Sequence, residues 1–116
     1  MSKYMVLLYA AESGMPRPGT SEFDAQNAAY NAVYENFAKR GAFVSGDPLS
    51  PSGSATSVRV RDGRRQDTPG PAARSDEQLI GYYVLECKDQ QEASELAAMI
   101  PAAQVGTVEV RPVIQM

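Results

Sequence analysis

The chain has no histidine among its 116 residues. That absence excludes every catalytic scheme built on an imidazole base and, with a single cysteine, the common zinc sites as well. Cys87 has no partner for an intramolecular disulfide, and its place in a strand-like run fits a reducing compartment. No apolar run approaches the roughly 18 residues of a membrane helix, and no charged start with a greasy middle and a small-residue cleavage site opens the chain. The expectation is a soluble, cytoplasmic protein away from membranes. Positive charge is also short: 11 basic and 14 acidic residues are interspersed to a net −3, which gives no broad field for a phosphate backbone, so nucleic acid is not an expected partner. Gly70 and Gly81 stand in no GxGxxG or GxxxxGK pattern, so a phosphate-cradling loop is missing too. No cofactor and no metal are expected, and carboxylates, tyrosines and arginines remain to carry any chemistry.

What is present suits one domain over residues 1–116, with no room for a separate cofactor domain. The run Lys3 to Ala10 is apolar on both alternating faces, Tyr4, Val6 and Leu8 on one and Met5, Leu7 and Tyr9 on the other, as in a strand buried on both sides. After a loop with Gly14, Pro16, Pro18 and Gly19, Ser21 caps a helix with Asp24 three positions on. Phe23, Tyr30, Val33, Tyr34 and Phe37 give that helix one apolar stripe to about Arg40, and Gly41 stops it. Ala42 to Ser45 is short and extended at most, and Asp47 to Gly53 reads as a proline-rich loop. From Ala55, Val58 and Val60 alternate with Arg59 and Arg61, Asp62-Gly63 matches a two-residue hairpin turn, and Arg64 to about Thr68 returns. Leu79 to Cys87 is a second strand with apolar or aromatic residues on both faces, predicted to be central. Asp89 caps a second helix with Glu92 at the third position. Ala93, Leu96, Ala97 and Ile100 form its stripe before Pro101, and Thr107 to Val113 is the last strand.

The order strand, helix, two hairpin strands, strand, helix, strand suits an α+β, ferredoxin-like antiparallel sheet with both helices on one face. Two helices cover one face and leave the other bare, yet the long strands are apolar on both. A homodimer that stacks two open faces resolves this, and the space between them is the natural pocket for a small organic ligand.

Candidate chemistry is sparse. Arg59, Arg61, Arg64 and Arg65 offer planar forks for an anion, although Asp62 and Asp67 lie among them and alternating strand charges commonly just solvate an outer face. Glu77, Tyr82 and Tyr83 follow Arg74 and Asp76 at the edge of the central strand, where an acid or base could meet a pocket. Tyr82 and Tyr83 face opposite sides, so one packs under the helices and the other faces the space between sheets. Asp47 is a carboxylate base or simply a turn cap. The catalytic candidates are thus Glu77, Asp47, Tyr82 and Tyr83, and those for ligand binding are Tyr9, Arg59, Arg74 and Tyr83.

The opening KYMVLLY, the middle GDPLSPSGSATSVRVRDGR, then EQLIGYYVLE and the ending IPAAQVGTVEVRPV together resemble the YCII-related family, in its DGPF branch, across almost the whole chain. The resemblance implies a dimeric α/β barrel of ferredoxin-like protomers, in small bacterial proteins some of which are found beside extracytoplasmic-function sigma factors. Its wider superfamily includes isomerases, dehalogenases and monooxygenases of small organic molecules. A histidine paired with an aspartate has been suggested as catalytic in the broader family, and this chain has no histidine to take that role. The branch motif, threonine-aspartate-glycine-proline-phenylalanine, reads Thr68-Pro69-Gly70-Pro71-Ala72 here, without the acid and the ring. Arg74 and Asp76 stand where an acid and a lysine are usual, while Glu77 and Gln78 match.

Three functions compete. One is a homodimeric small-molecule-binding protein without strong catalytic activity, linked by the resemblance to sigma-factor regulation. Another is an enzyme of isomerase, lyase or dehalogenase type on a small cyclic or aromatic acid, with Glu77 or Asp47 as base, a tyrosine as acid and Arg59 or Arg74 on the substrate carboxylate. The third is a protein-interaction module, which would keep an exposed apolar patch after dimerisation.

Overall fold

The opening apolar run forms β1, Ser2–Ala10, in a computed structural model that describes residues 1–116. Tyr4, Val6, Leu8 and Ala10 are buried while Met5, Leu7 and Tyr9 are half-buried on the other side, the period of two that a strand imposes. Helix α1, Ser21–Lys39, starts one residue earlier in its cap than the sequence suggested. Thr20, in extended backbone, accepts from the Phe23 N–H at 3.2 Å through its hydroxyl, whereas Ser21 is already helical and a cap residue has non-helical backbone. The C-terminus closes on Gly41 at φ 72, with Ala42 N–H donating to the Phe37 carbonyl and Gly41 N–H to that of Ala38, both at 3.0 Å. This Schellman arrangement needs the left-handed backbone that glycine adopts without strain.

Strand β2, Phe43–Pro48, reaches further than the expected short extension and takes in Asp47, which the sequence placed in a loop. Gly46 explains the difference. A Cβ there would lie 2.8 Å from the Tyr83 ring and 2.9 Å from the Tyr82 carbonyl oxygen, so the glycine that reads as a breaker is what lets this edge strand approach its neighbour. Strands β3, Thr56–Arg61, and β4, Arg64–Pro69, form the expected hairpin. Its turn residues Asp62 and Gly63 both have positive φ, 53° and 74°, as a type I′ turn requires. The hairpin does not join the main sheet, however, but stands as a separate two-stranded ribbon. Neither of its faces is apolar: Val58 and Val60 are opposite Asp67 and Arg65, so it has little to bury.

Strand β5, Gln78–Cys87, pairs with β1 on one side and β2 on the other, the central position expected of it. Asp89 caps α2, Gln90–Ala97, by accepting from the Glu92 N–H at 2.8 Å, while the Glu92 carboxylate accepts from the Lys88 N–H at 2.9 Å. The helix ends before Ile100, which is nonetheless fully buried in the turn that leads to the short α3, Ala102–Val105, and to β6, Thr107–Pro112.

Strands β1, β2, β5 and β6 make one antiparallel sheet in the order β2-β5-β1-β6, and the fold is α+β and ferredoxin-like. Its core lies on one face. Tyr4, Val6, Leu8, Tyr83, Leu85 and Cys87 meet Val33 and Phe37 of α1 and Ala93, Leu96 and Ala97 of α2 in a single cluster. The stripe on α1 is thinner than its spacing suggested, with Phe23 half-buried and Tyr34 49% exposed. On the other face, register aligns Met5 with Val84, Leu7 with Tyr82 and Tyr9 with Leu79, and none of these six belongs to the core cluster. The molecule is a slab of 48 × 43 × 19 Å. No helix is long and apolar enough to cross a membrane.

Candidate functional site

Two of the sequence candidates meet on the open face. Asp47 on β2 stands directly opposite Tyr82 on β5, and the Tyr82 hydroxyl donates to Asp47 Oδ2 at 2.8 Å. This hydrogen bond, and then the carboxylate's charge, hold the Tyr82 phenol above its ordinary value of 10, because both favour the protonated phenol. The pair therefore presents a fixed donor and acceptor at neutral pH. Its contribution to stability is present below pH 10 and is lost as pH rises through the raised value. In an absorbance titration the phenol missing from Tyr82→Phe, obtained by difference, is expected to ionise above pH 10, and to return towards 10 in Asp47→Asn. A difference curve centred at or below 10 in the unsubstituted protein would contradict the geometry.

The other tyrosines divide by face. Tyr83, nominated for ligand contact and for catalysis, packs beneath the helices instead, edge-on to Phe37 at 5.6 Å and Phe43 at 6.3 Å between ring centroids. Burial, with the neighbouring Tyr30 as a second cause, pushes its phenol up to about 12. The register decides this: Tyr83 aligns with core-facing Val6 and Tyr82 with open-face Leu7. Tyr9 lies on the open face, beside Thr107 of β6.

Arg59 and Arg74 come together elsewhere, around Thr68-Pro69-Gly70-Pro71-Ala72, where the end of β4 runs into a loop. Gly70, at φ 105, donates to the Ala55 carbonyl at 2.7 Å and accepts from the Ser57 hydroxyl at 2.8 Å. The Gln78 amide holds the Ala73 and Ser75 carbonyls at 3.2 and 3.0 Å. The loop separates two cavities that share Arg74. One, of about 460 Å³, includes Glu12, Ser52 and Gln78; the other, of about 580 Å³, lies against the ribbon and includes Arg59, Gln66 and Thr68. Glu77 lines neither.

The first cavity shows a pair that sequence reasoning missed. Both oxygens of Glu12 are engaged by Ser52, from its N–H at 2.7 Å and its hydroxyl at 2.6 Å. These bonds, the hydroxyl's first, hold the Glu12 carboxyl below the usual value. The two residues are 40 positions apart, each opening a single 3-10 turn, Glu12–Gly14 and Ser52–Ser54, so no local signal joins them. No group of three or more acidic or cysteine side chains is placed to hold a metal ion.

The family profile of the YCII-related domain matches residues 2–116. An uncharacterised protein of Rhizobium meliloti (strain 1021) is similar to this chain, 30% identical over 111 residues that span 94% of this chain and 90% of that protein.

Proposed function

The chain belongs to the YCII-related domain family, and from that premise we propose that it works as a homodimer that binds a small organic molecule between two stacked sheet faces, without strong catalytic activity. The observation that carries this reading is the open face itself. Met5, Leu7, Tyr9, Leu79 and Val84 lie half-buried on the sheet side opposite the helices, and an apolar grouping on an uncovered face fits an interaction site. The amount of exposed surface supports it: the subunit exposes 8039 Å² at 12.5 kDa, where a compact monomer of that mass exposes about 6,200 Å². In the stacked pair the Asp47–Tyr82 bond supplies a polar handle beside an apolar wall, the usual composition of a small-molecule site. Within the family we assign the chain to the DGPF branch on the resemblance of its KYMVLLY, GDPLSPSGSATSVRVRDGR, EQLIGYYVLE and IPAAQVGTVEVRPV segments, with Thr68–Ala72 departing from the branch motif, and with it the regulatory role beside sigma factors that this branch suggests. A cytoplasmic location accords with the single buried thiol of Cys87.

The mass in dilute solution tests the assembly. Light scattering at micromolar concentration is expected to give a dimer for the unaltered chain and a monomer with unchanged circular dichroism for Leu7→Lys, which puts a charge on the open face and leaves the core alone. A monomeric unaltered protein would overturn the reading. Within the dimer, a metabolite library screened by thermal shift is expected to yield a ligand whose stabilisation weakens in Tyr82→Phe. The enzyme reading keeps one observation in its favour, the carboxylate–phenol pair of Asp47 and Tyr82. Turnover of a small cyclic acid that disappears in Asp47→Asn would move the assignment there.

A further inference from the structure

The ribbon sorts its charges in a way that its sequence conceals. Register puts Val58 and Val60 on one face with Asp67 and Arg65, and Arg65 and Asp67 there satisfy each other through two bonds of 2.8 and 2.7 Å. The other face carries Ser57, Arg59, Arg61, Arg64, Gln66 and Thr68 and no acid. Arg61 stands directly opposite Arg64, a like-charge pairing that destabilises a two-stranded ladder, and none of these three arginines forms an ion pair. The ribbon's four arginines and two aspartates give it a net charge of +2 within a chain of net −3.

This acid-free face forms one wall of the larger cavity, of about 580 Å³, and the loop carrying Pro71 and Arg74 forms another. Arg74 also has no ion pair. Two guanidinium groups therefore face a space lined by no carboxylate, with the Gln66 amide and the Thr68 hydroxyl as further donors. The cavity across the loop differs, because there Arg74 is accompanied by Glu12. The bonds that fix Gly70 to Ala55 and Ser57 hold the wall in place before any ligand arrives, which lowers the entropy lost on binding.

We infer that this groove is a binding site for a doubly charged small oxyanion, carried as a phosphate monoester or a dicarboxylate. Arginine forks match the oxygens of either group two at a time, the volume suits a small metabolite, and the absence of an acid from the lining leaves the positive charge unanswered within the groove. The site is separate from the space between sheet faces and needs only one subunit.

Calorimetric titration of the full chain with inorganic phosphate, and separately with malonate, both at fixed ionic strength, tests this. Saturable binding of at least one probe, one per chain, is expected. Arg59→Gln and Arg74→Gln should each weaken it by about tenfold or more, the scale of one charge-assisted contact. Arg65→Gln, on the ribbon's other face, should change it by no more than about twofold, as for a screened surface charge. Phosphate alone identifies a phosphate ester as the source, malonate alone a dicarboxylate, and either supports the site. Absence of saturable binding of both probes, or equal weakening by Arg65→Gln, overturns it. Because the mass of the complex is measured independently, a monomer that still binds the oxyanion retains this site and rejects only the dimer.

Discussion

Phe37→Ala is expected to lower the unfolding free energy by about 3–5 kcal/mol, the largest loss from any single truncation of α1. That helix has nineteen residues, of which only Val33 and Phe37 are buried. Phe37 is fully enclosed, its ring edge-on to Tyr83 at an interplanar angle of 81°. Truncation removes the transfer free energy of the ring, leaves a void that the sheet cannot collapse into, and deletes an aromatic pair worth about 0.5–1.5 kcal/mol beyond its area. Against a typical total stability of about 5–15 kcal/mol this is about a fifth or more, and a fall in melting temperature of about 10–20 °C follows. Phe23→Ala, half-buried on the same helix, is expected to lose only about 1 kcal/mol. Urea unfolding followed by circular dichroism compares the two. Equal losses would mean that α1 is not seated through Phe37.

Gly106→Ala is expected to be nearly as damaging, by about 3 kcal/mol, through overpacking rather than a void. Gly106 joins α3 to β6, and a Cβ there would fall on the Tyr9 carbonyl oxygen and within 2.9 Å of the Ala10 Cα. These neighbours are backbone of β1, paired on both sides, so relief requires β6 to part from β1 where Thr107 meets Tyr9. Hydrogen exchange should accelerate first in β6. Gly14→Ala supplies the control, since a Cβ at Gly14 meets open space and a loss of no more than about 0.5 kcal/mol is expected for such a surface change. If the two alanine variants melted alike, the close approach of β6 to β1 would be refuted.

The parts of this fold that were legible are those fixed by local chemistry. Short runs of apolar, branched and aromatic residues marked β1 and β5, the Asp62-Gly63 pair marked the turn, and Asp89 with Glu92 marked the start of α2, because strand composition, turn geometry and capping each involve residues within a few positions of one another. Long-range approach was not legible. Asp47 and Tyr82 were both nominated, but their meeting depends on Gly46 lying against Tyr83, and Gly46-Asp47-Pro48 in isolation has the composition of a turn. Alternation says that Tyr82 and Tyr83 face opposite ways, and only the register with Val6 and Leu7 decides which is open. Strand pattern likewise announced β3 and β4 without saying that they pair only with each other. The Arg59 and Arg74 groove arises where the ribbon meets the loop that follows it, and the Glu12–Ser52 contact where two short turns distant in sequence converge; neither has a periodic signature.

A two-stranded ribbon has no interior strand, so β3 and β4 each keep one unpaired row of backbone donors and acceptors. Such rows are templates for adding another chain's strand, and flanking charge and proline are the means of refusing it. The crowded guanidinium groups of the ribbon, with Pro69 at its base, perform that refusal for both rows at once. Stripping them would leave the ferredoxin-like body intact while opening a route to fibril seeding from the ribbon's flanks.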